Sequence, residues 1–258
     1  MNFVRARMAM ISASFGFLAL ATAPVFVRND ANIWLMETTS DAGLVLSEVE
    51  INGLNRTKHR DVQAVLDVDT GMPLLAIDLA ALQTKIEALP WVKEAVVNRQ
   101  LPGKMTIDIK ERVPFALSQL NGKVNLIDPD GLVITDKGLG EFKDRVLVVG
   151  DVGKPQLSEF RELVSSHPEI GDRVRSAIWV NERRWDIVFK NGIRVKLPSA
   201  MADAYNMQTA WTRFAELNKE HSLLEREVSV IDMRMHDRLV VRVTPAGRVK
   251  MSGEEFAL

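Results

Sequence analysis

The run GMPLLAIDLAALQTKIEALPWVKEAVVNRQLPGKMTIDIKERVP, residues 71–114, carries the pattern that decides the fold. Asp78 stands where a helix N-cap belongs. Leu79, Leu82, Ile86 and Leu89 follow at helical spacing until Pro90, which cannot continue a helix. After the proline the period changes. Trp91, Val92, Ala95 and Val97 open an extended segment, Leu101-Pro102-Gly103 turns the chain, and Met105, Ile107 and Ile109 alternate with Thr106, Asp108 and Lys110. Upstream, Leu44, Leu46, Val49 and Ile51 surround Ser47, Glu48 and Glu50, a half-buried strand ending at Asn52-Gly53, where glycine permits a tight exit. Thr57 reads as the cap of a first helix with Val62, Val65 and Leu66 on its apolar stripe, broken by Gly71-Met72-Pro73. The order β-α-α-β-β makes a complete small α+β domain over residues 44–113.

Beyond Pro114 short strands and turns dominate. Residues 115–120 and 124–127 flank Asn121-Gly122, a strong hairpin signal, and Asp128-Pro129-Asp130-Gly131 is a further turn. Extended runs follow at 132–135 and 146–149, then a helix over 157–164. Three strands come next, at 176–181, 185–190 and 193–197. Ser199 reads as the cap of a helix carrying Met201, Ala204, Gln208, Trp211, Phe214 and Leu217, and strands at 228–233 and 239–244 close the chain. Residues 114–258 therefore read as a second, larger β-rich domain with a few helices.

Toward the other terminus, residues 8–27 hold no charge and are flanked by Arg7 and Arg28. A helix of that length spans about 30 Å, the thickness of a bilayer's hydrocarbon core. A cleaved signal peptide is the competing reading, with Arg5 and Arg7 as its basic region and Ala21-Thr22-Ala23 as its small-residue site. Against it, Pro24 would directly follow the cut and apolar residues run on through Val27. Arg5, Arg7 and the amino terminus outweigh Arg28, so the positive-inside rule leaves residues 1–7 in the cytoplasm and exports the rest, with residues 28–43 as linker. The expectation is a bitopic inner-membrane protein with its C-terminal domains in the periplasm.

Composition removes whole classes of function. With 33 basic and 34 acidic side chains, the chain lacks the basic surplus of a general nucleic-acid binder. Without cysteine there is no disulfide framework, thiolate metal site or Cys nucleophile. His59, His167, His221 and His236 are scattered, with no partner at ligand spacing. Asp67-Val68-Asp69-Thr70 matches the DxDxT string of some phosphatases, but it follows a helical stripe instead of an apolar strand and reads as a polar helix exit. Gly150-Asp151-Val152-Gly153 lacks the third glycine of a phosphate cradle. Glu111-Arg112 and Glu182-Arg183-Arg184 read as solvated mixed charge. No catalytic, cofactor-binding or metal-binding group is expected. What remains is binding through sheet edges, whose unpaired backbone groups are either protected or used by a partner strand.

The strings VEINGLNRT at residues 49–57 and that at 71–114 resemble a POTRA domain. Their combination with LPWV, the AxVxRxxPxxMxIxIxER spacing and ERRWDIVFKNGIRVKLP is similar to the FtsQ/DivIB family of cell-division proteins, from the anchor to about Thr244. The resemblance implies a non-enzymatic subunit of the division machinery at the septum. It implies that FtsB and FtsL bind the β domain, with FtsB adding a strand at the C-terminal edge. Carried onto this chain, the contact residues would be Met235, His236, Asp237, Arg238, Leu239, Val240, Val241, Arg242, Val243 and Thr244, with Arg183 nearby. Other divisome proteins would meet the POTRA sheet around residues 96–99 and 104–109. Met235 and Val243 stand where many relatives carry Tyr and Trp, which moves the expected affinity toward backbone pairing and aliphatic contact. POTRA domains also serve outer-membrane protein assembly and secretion, the alternative reading, which would call for several repeats or a terminal barrel.

Overall fold

The computed structural model describes residues 44–199 and 205–254. The expected tail, anchor and linker, residues 1–43, lie outside the described residues, as do Met201 and Ala204. Among the described residues no helix is long and apolar enough to cross a membrane. The chain divides into two compact units, one ending at Glu111 and the other beginning at Arg112.

The first unit runs β1 (Glu48–Asn52), α1 (His59–Leu66), α2 (Leu79–Glu87), β2 (Val92–Gln100) and β3 (Lys104–Glu111). Strand β3 is central, parallel to β1 and antiparallel to β2. Met105, Ile107 and Ile109 of β3 face Val62, Leu66, Leu82 and Ile86 of the two helices in one buried cluster. The Asp78 carboxylate accepts from the N–H groups of Ala80 and Ala81, as its position suggested. Gly53 leaves β1 at φ 83°, and a Cβ there would lie 1.9 Å from the Ile109 carbonyl oxygen. Thr57 is not the cap of α1. That place belongs to Lys58, while the Thr57 N–H donates to Glu111. The long first strand also shortens: Leu46 and Ser47 bond instead to the Met72 and Gly103 carbonyls, and the strand starts at Glu48.

The second unit is built on a nine-stranded sheet. Its elements are β4 (Ala116–Leu120), β5 (Lys123–Ile127), β6 (Val133–Thr135), β7 (Leu147–Val149), α3 (Lys154–Ser166), β8 (Val174–Val180), β9 (Arg184–Phe189), β10 (Arg194–Ser199), α4 (Met207–His221), β11 (Val228–Asp232), β12 (Val240–Val243) and α5 (Pro245–Glu254). The strand order is β12-β11-β10-β9-β8-β7-β4-β5-β6. Asn121 and Gly122 both take positive φ in the expected hairpin, 51° and 78°. Trp185, Ile187 and Phe189 alternate along β9 and are fully buried, packed with Phe160 of α3 and with Trp211 and Phe214 of α4. Phe160 meets Trp185 at 5.3 Å between ring centroids and Phe189 meets Phe214 at 5.7 Å. Each such side chain contributes about 1.5–3 kcal/mol on burial, so these five rings anchor the helices to the sheet.

Three expectations are corrected here. Ser199 ends β10 and caps nothing; the helix starts at Met207, where the Asn206 side chain accepts from the Thr209 N–H. A terminal helix, α5, follows the last strand. Its signal was Thr244-Pro245, a cap residue followed by the residue best suited to a first helical turn. The Glu111-Arg112 pair is not free surface charge. Glu111 accepts from the backbone N–H groups of Asn55, Arg56 and Thr57, while Arg112 pairs at 2.7 Å with the buried Asp128.

A candidate partner-binding edge at the end of the chain

Strand β12 is the terminal strand of the nine-stranded sheet and pairs only with β11, antiparallel, with Ile231 opposite Val241 and Asp232 opposite Val240. Among the described residues its other flank meets no strand, the arrangement that leaves outward backbone groups open to pairing. The register shifts between Val228 and Val230, and the Ser229 hydroxyl at that irregularity donates to the Arg242 carbonyl.

The ten residues expected to act as one strand divide into three parts. Met235, His236, Asp237, Arg238 and Leu239 form a loop, Val240–Val243 form the strand, and Thr244 caps α5. Polar groups shape the loop. Asp232 and Arg234 form a two-pronged pair at 2.6–3.0 Å, and Arg213 of α4 donates to the His236 carbonyl. Burial pushes the Asp232 carboxyl up, but the Arg234 hydrogen bonds and charge outweigh it and hold the group below the usual aspartate range. Asp237, on the surface, is lowered first by its hydrogen bond from Arg238. Leu239 turns inward and packs against the core.

Arg183, in the turn before β9, comes together with this loop. It lines one cavity of about 530 Å³ with Arg184, Arg234, Met235, His236 and Asp237. The Tyr205 ring meets the His236 ring edge-on there, 6.3 Å between centroids. Arg184 is not solvated as expected; it is largely buried and reaches the buried Asp186 at 3.4 Å. Val240 and Met235 are exposed apolar side chains. Sequence reasoning missed the far side of the edge, a groove of about 510 Å³ whose apolar floor is Leu223, Val228, Ile231, Val241 and Val243, with Gly247 and the charged Glu225, Arg226 and Glu227 also on its lining. The alternation of Val241 and Val243 was visible, but the 3-10 turn at Leu223–Glu225 and the start of α5 that wall the groove come from elsewhere in the chain.

No reactive constellation accompanies the edge. Among the described residues no group of three or more His, Asp or Glu could hold a metal. Asp67 adopts a left-handed conformation as the C-cap of α1 and lies 3.9 Å from Lys85 on an exposed surface.

Two family models match the chain: a POTRA domain of the FtsQ type over residues 44–112, and the C-terminal domain of cell division protein FtsQ/DivIB over residues 116–234. A cell division protein FtsQ from Agrobacterium fabrum is 30% identical over 234 residues, covering 91% of this chain and 72% of the relative.

The chain belongs to the FtsQ/DivIB family of cell division proteins.

An FtsQ from Bradyrhizobium diazoefficiens is 32% identical over 205 residues, which is 80% of this chain but 58% of that relative's length. The Caulobacter vibrioides FtsQ is 31% identical over 205 residues, 80% of this chain and 66% of the relative. The FtsQ/DivIB model ends at residue 234, so β12 and α5 lie beyond it. The outer-membrane assembly alternative draws no support from this pairing of one FtsQ-type POTRA domain with an FtsQ/DivIB C-terminal domain.

Proposed function

We propose that this protein is a non-enzymatic divisome scaffold, held in the inner membrane by residues 8–27, whose two periplasmic domains, residues 44–113 and 114–258, link early and late division proteins at the septum. Its partners are FtsB and FtsL. FtsB adds a strand to β12, and Arg183 together with the loop from Met235 to Leu239 makes the adjoining polar contacts. Other divisome proteins meet the POTRA sheet, where Val96 is an exposed apolar residue on the edge strand β2. No nucleic acid or cofactor takes part.

The observation that carries this reading is the position of β12 at the end of the nine-stranded sheet, with one flank unpaired among the described residues. Strand addition supplies affinity through main-chain hydrogen bonds and specificity through alternate side chains. A proline at Val241 removes a backbone donor and obstructs pairing. The Val241→Pro variant of the full chain in detergent, shown to be folded by circular dichroism, is expected to lose capture of the organism's FtsB at least a hundredfold. Wild-type capture by that folded variant would overturn strand addition. In cells, depletion should produce filaments and a fluorescent fusion should collect at midcell; normal cell length on depletion would count against the scaffold role.

A further inference from the structure

Strand β12 has two unlike faces. Val241 and Val243 are half-buried and line the groove with Ile231 and Val228, whereas Val240 and Arg242 are exposed. Because Val241 lies opposite Ile231, the groove is a continuation of the sheet's core face beyond the helical layer. Its end is walled by the first turn of α5. Thr244 holds that turn: its N–H donates to the Glu227 carbonyl at 2.9 Å and its hydroxyl accepts from the Gly247 N–H at 3.1 Å. Gly247 sits so close that a Cβ would lie 2.5 Å from the Glu227 carbonyl oxygen and 2.4 Å from Val243. The groove is therefore a fixed apolar ledge, closed on one side and open where β12 has no neighbour.

The charges around the edge are unequal. Asp186, Asp232 and Asp237 are each matched by an arginine, namely Arg184, Arg234 and Arg238. Arg183 and Arg242 have no carboxylate within ion-pair distance among the described residues, in contrast to the paired arginines beside them. On the groove side the charged lining residues are engaged within the fold: Glu225 pairs with Arg173 at 2.8 Å, Arg226 donates to the His221 carbonyl, and the Glu227 carboxylate accepts from the Thr244 hydroxyl at 3.3 Å. The unmatched charge thus lies away from the groove, on the Arg242 face and in the cavity at the loop.

From this we infer that the occupant of the β12 edge is an extended partner segment with two unlike faces, aliphatic or aromatic where it meets the groove and acidic where it passes Arg242. The inference rests on the strand-addition reading and adds what selects the partner. A strand added about 4.8 Å beyond β12 places alternate side chains over the Val241–Val243 ledge, and the intervening ones beside Val240 and Arg242. The side chains over the ledge lose water against Leu223, Ile231 and the α5 turn. A carboxylate on the other face meets an arginine that has no carboxylate partner among the described residues, an attraction that salt screens.

The test uses the full chain in detergent and the periplasmic fragment of FtsB from the same organism as probe. Hydrogen exchange at the amides of β12 reports strand addition, and titration reports affinity. Val241→Thr and Val243→Thr keep β-branching and shape but put hydroxyls on the ledge. Each is expected to weaken binding about tenfold, while Val240→Thr on the outer face changes it less than twofold. Arg242→Gln is expected to weaken binding about threefold at low salt and to flatten its salt dependence. Amide protection of β12 on binding, with equal effects of Thr at 240, 241 and 243, would overturn the ledge and leave strand addition standing. Unchanged salt dependence in Arg242→Gln would overturn the acidic face. Absence of amide protection would overturn strand addition and this inference with it.

Discussion

The nine-stranded sheet ends in two edges that look alike in composition and differ in construction. At one end β6 exposes Val133 at 55%, and at the other β12 exposes Val240 at 46%, so exposed apolar surface alone does not separate the two edges. Strand β6 has three residues, pairs irregularly with β5, and is gripped by its own turn. The buried Asp128 carboxylate accepts from the N–H groups of Asp130 and Leu132 while Arg112 pairs with it. Short length and an irregular register are common protections of a sheet edge. Strand β12 has a groove along one face and, nearby, two arginines without a carboxylate partner among the described residues. The lesson is that two strands of similar exposure differ in what flanks them.

The largest expected effect breaks the closed edge. Asp128→Ala leaves the largely buried Arg112 without its carboxylate and frees the turn before β6, a loss of about 3–5 kcal/mol by analogy with other buried pairs. Thermal unfolding should show a clear drop in Tm, while FtsB binding below that Tm stays within twofold of wild type. A matching loss of binding in the folded variant would remove the contrast between the edges. Next, Val240→Asp and Val133→Asp place the same negative charge on each edge, which at β12 opposes an acidic partner face. The first should weaken FtsB binding about tenfold and the second leave it unchanged, as read by titration; equal effects would erase the distinction.

A smaller effect tests the wall of the groove. Gly247→Ala forces the start of α5 away from Glu227 and Val243, at a cost of about 1–3 kcal/mol typical of overpacking, read by chemical denaturation. Glu111→Gln weakens the charge-assisted bonds to Asn55, Arg56 and Thr57 in the POTRA unit. Partial exposure limits the loss to about 1–2 kcal/mol, and strand addition at β12 should not change. The smallest effect is in acid. Glu111 is pushed up by burial but held lower by the N–H groups of Thr57 and Arg56, and Asp232 is likewise held low by Arg234. Their folded-state values lie below the unfolded ones, so their stabilisation is present above the ordinary carboxylate range. It is lost as pH falls below about 4 and through the depressed values. Denaturant midpoints measured from pH 6 to pH 3 should fall, and less steeply in Glu111→Gln.

Much of the fold was legible because its signals are local. Leu79, Leu82 and Ile86 repeat at helical spacing, Met105, Ile107 and Ile109 alternate, and Asn121-Gly122 supplies the positive φ that a tight hairpin needs. The clamps were not legible. Glu111 and Arg112 read as surface charge because their partners lie far off or beyond a turn: Asn55 to Thr57 are more than fifty positions before Glu111. The candidate edge was half legible. Alternation in residues 239–244 pointed to a strand, but only Val240–Val243 form it. Met235 is held in a loop by the Asp232–Arg234 pair beside it, and Thr244 turns the chain into a helix.

By itself the sequence determined the β-α-α-β-β unit, the succession of short strands after it, the absence of cysteine chemistry and the family to which the chain belongs. Those properties depend on residue type and short-range spacing, which a linear string contains. Only the tertiary structure decided that β12 is an outer strand, that Arg183 stands beside Met235 and His236, and that Leu223 and Gly247 wall a groove with Val241 and Val243. Strand order is set by which surfaces become buried when distant segments meet, and no local pattern encodes that choice.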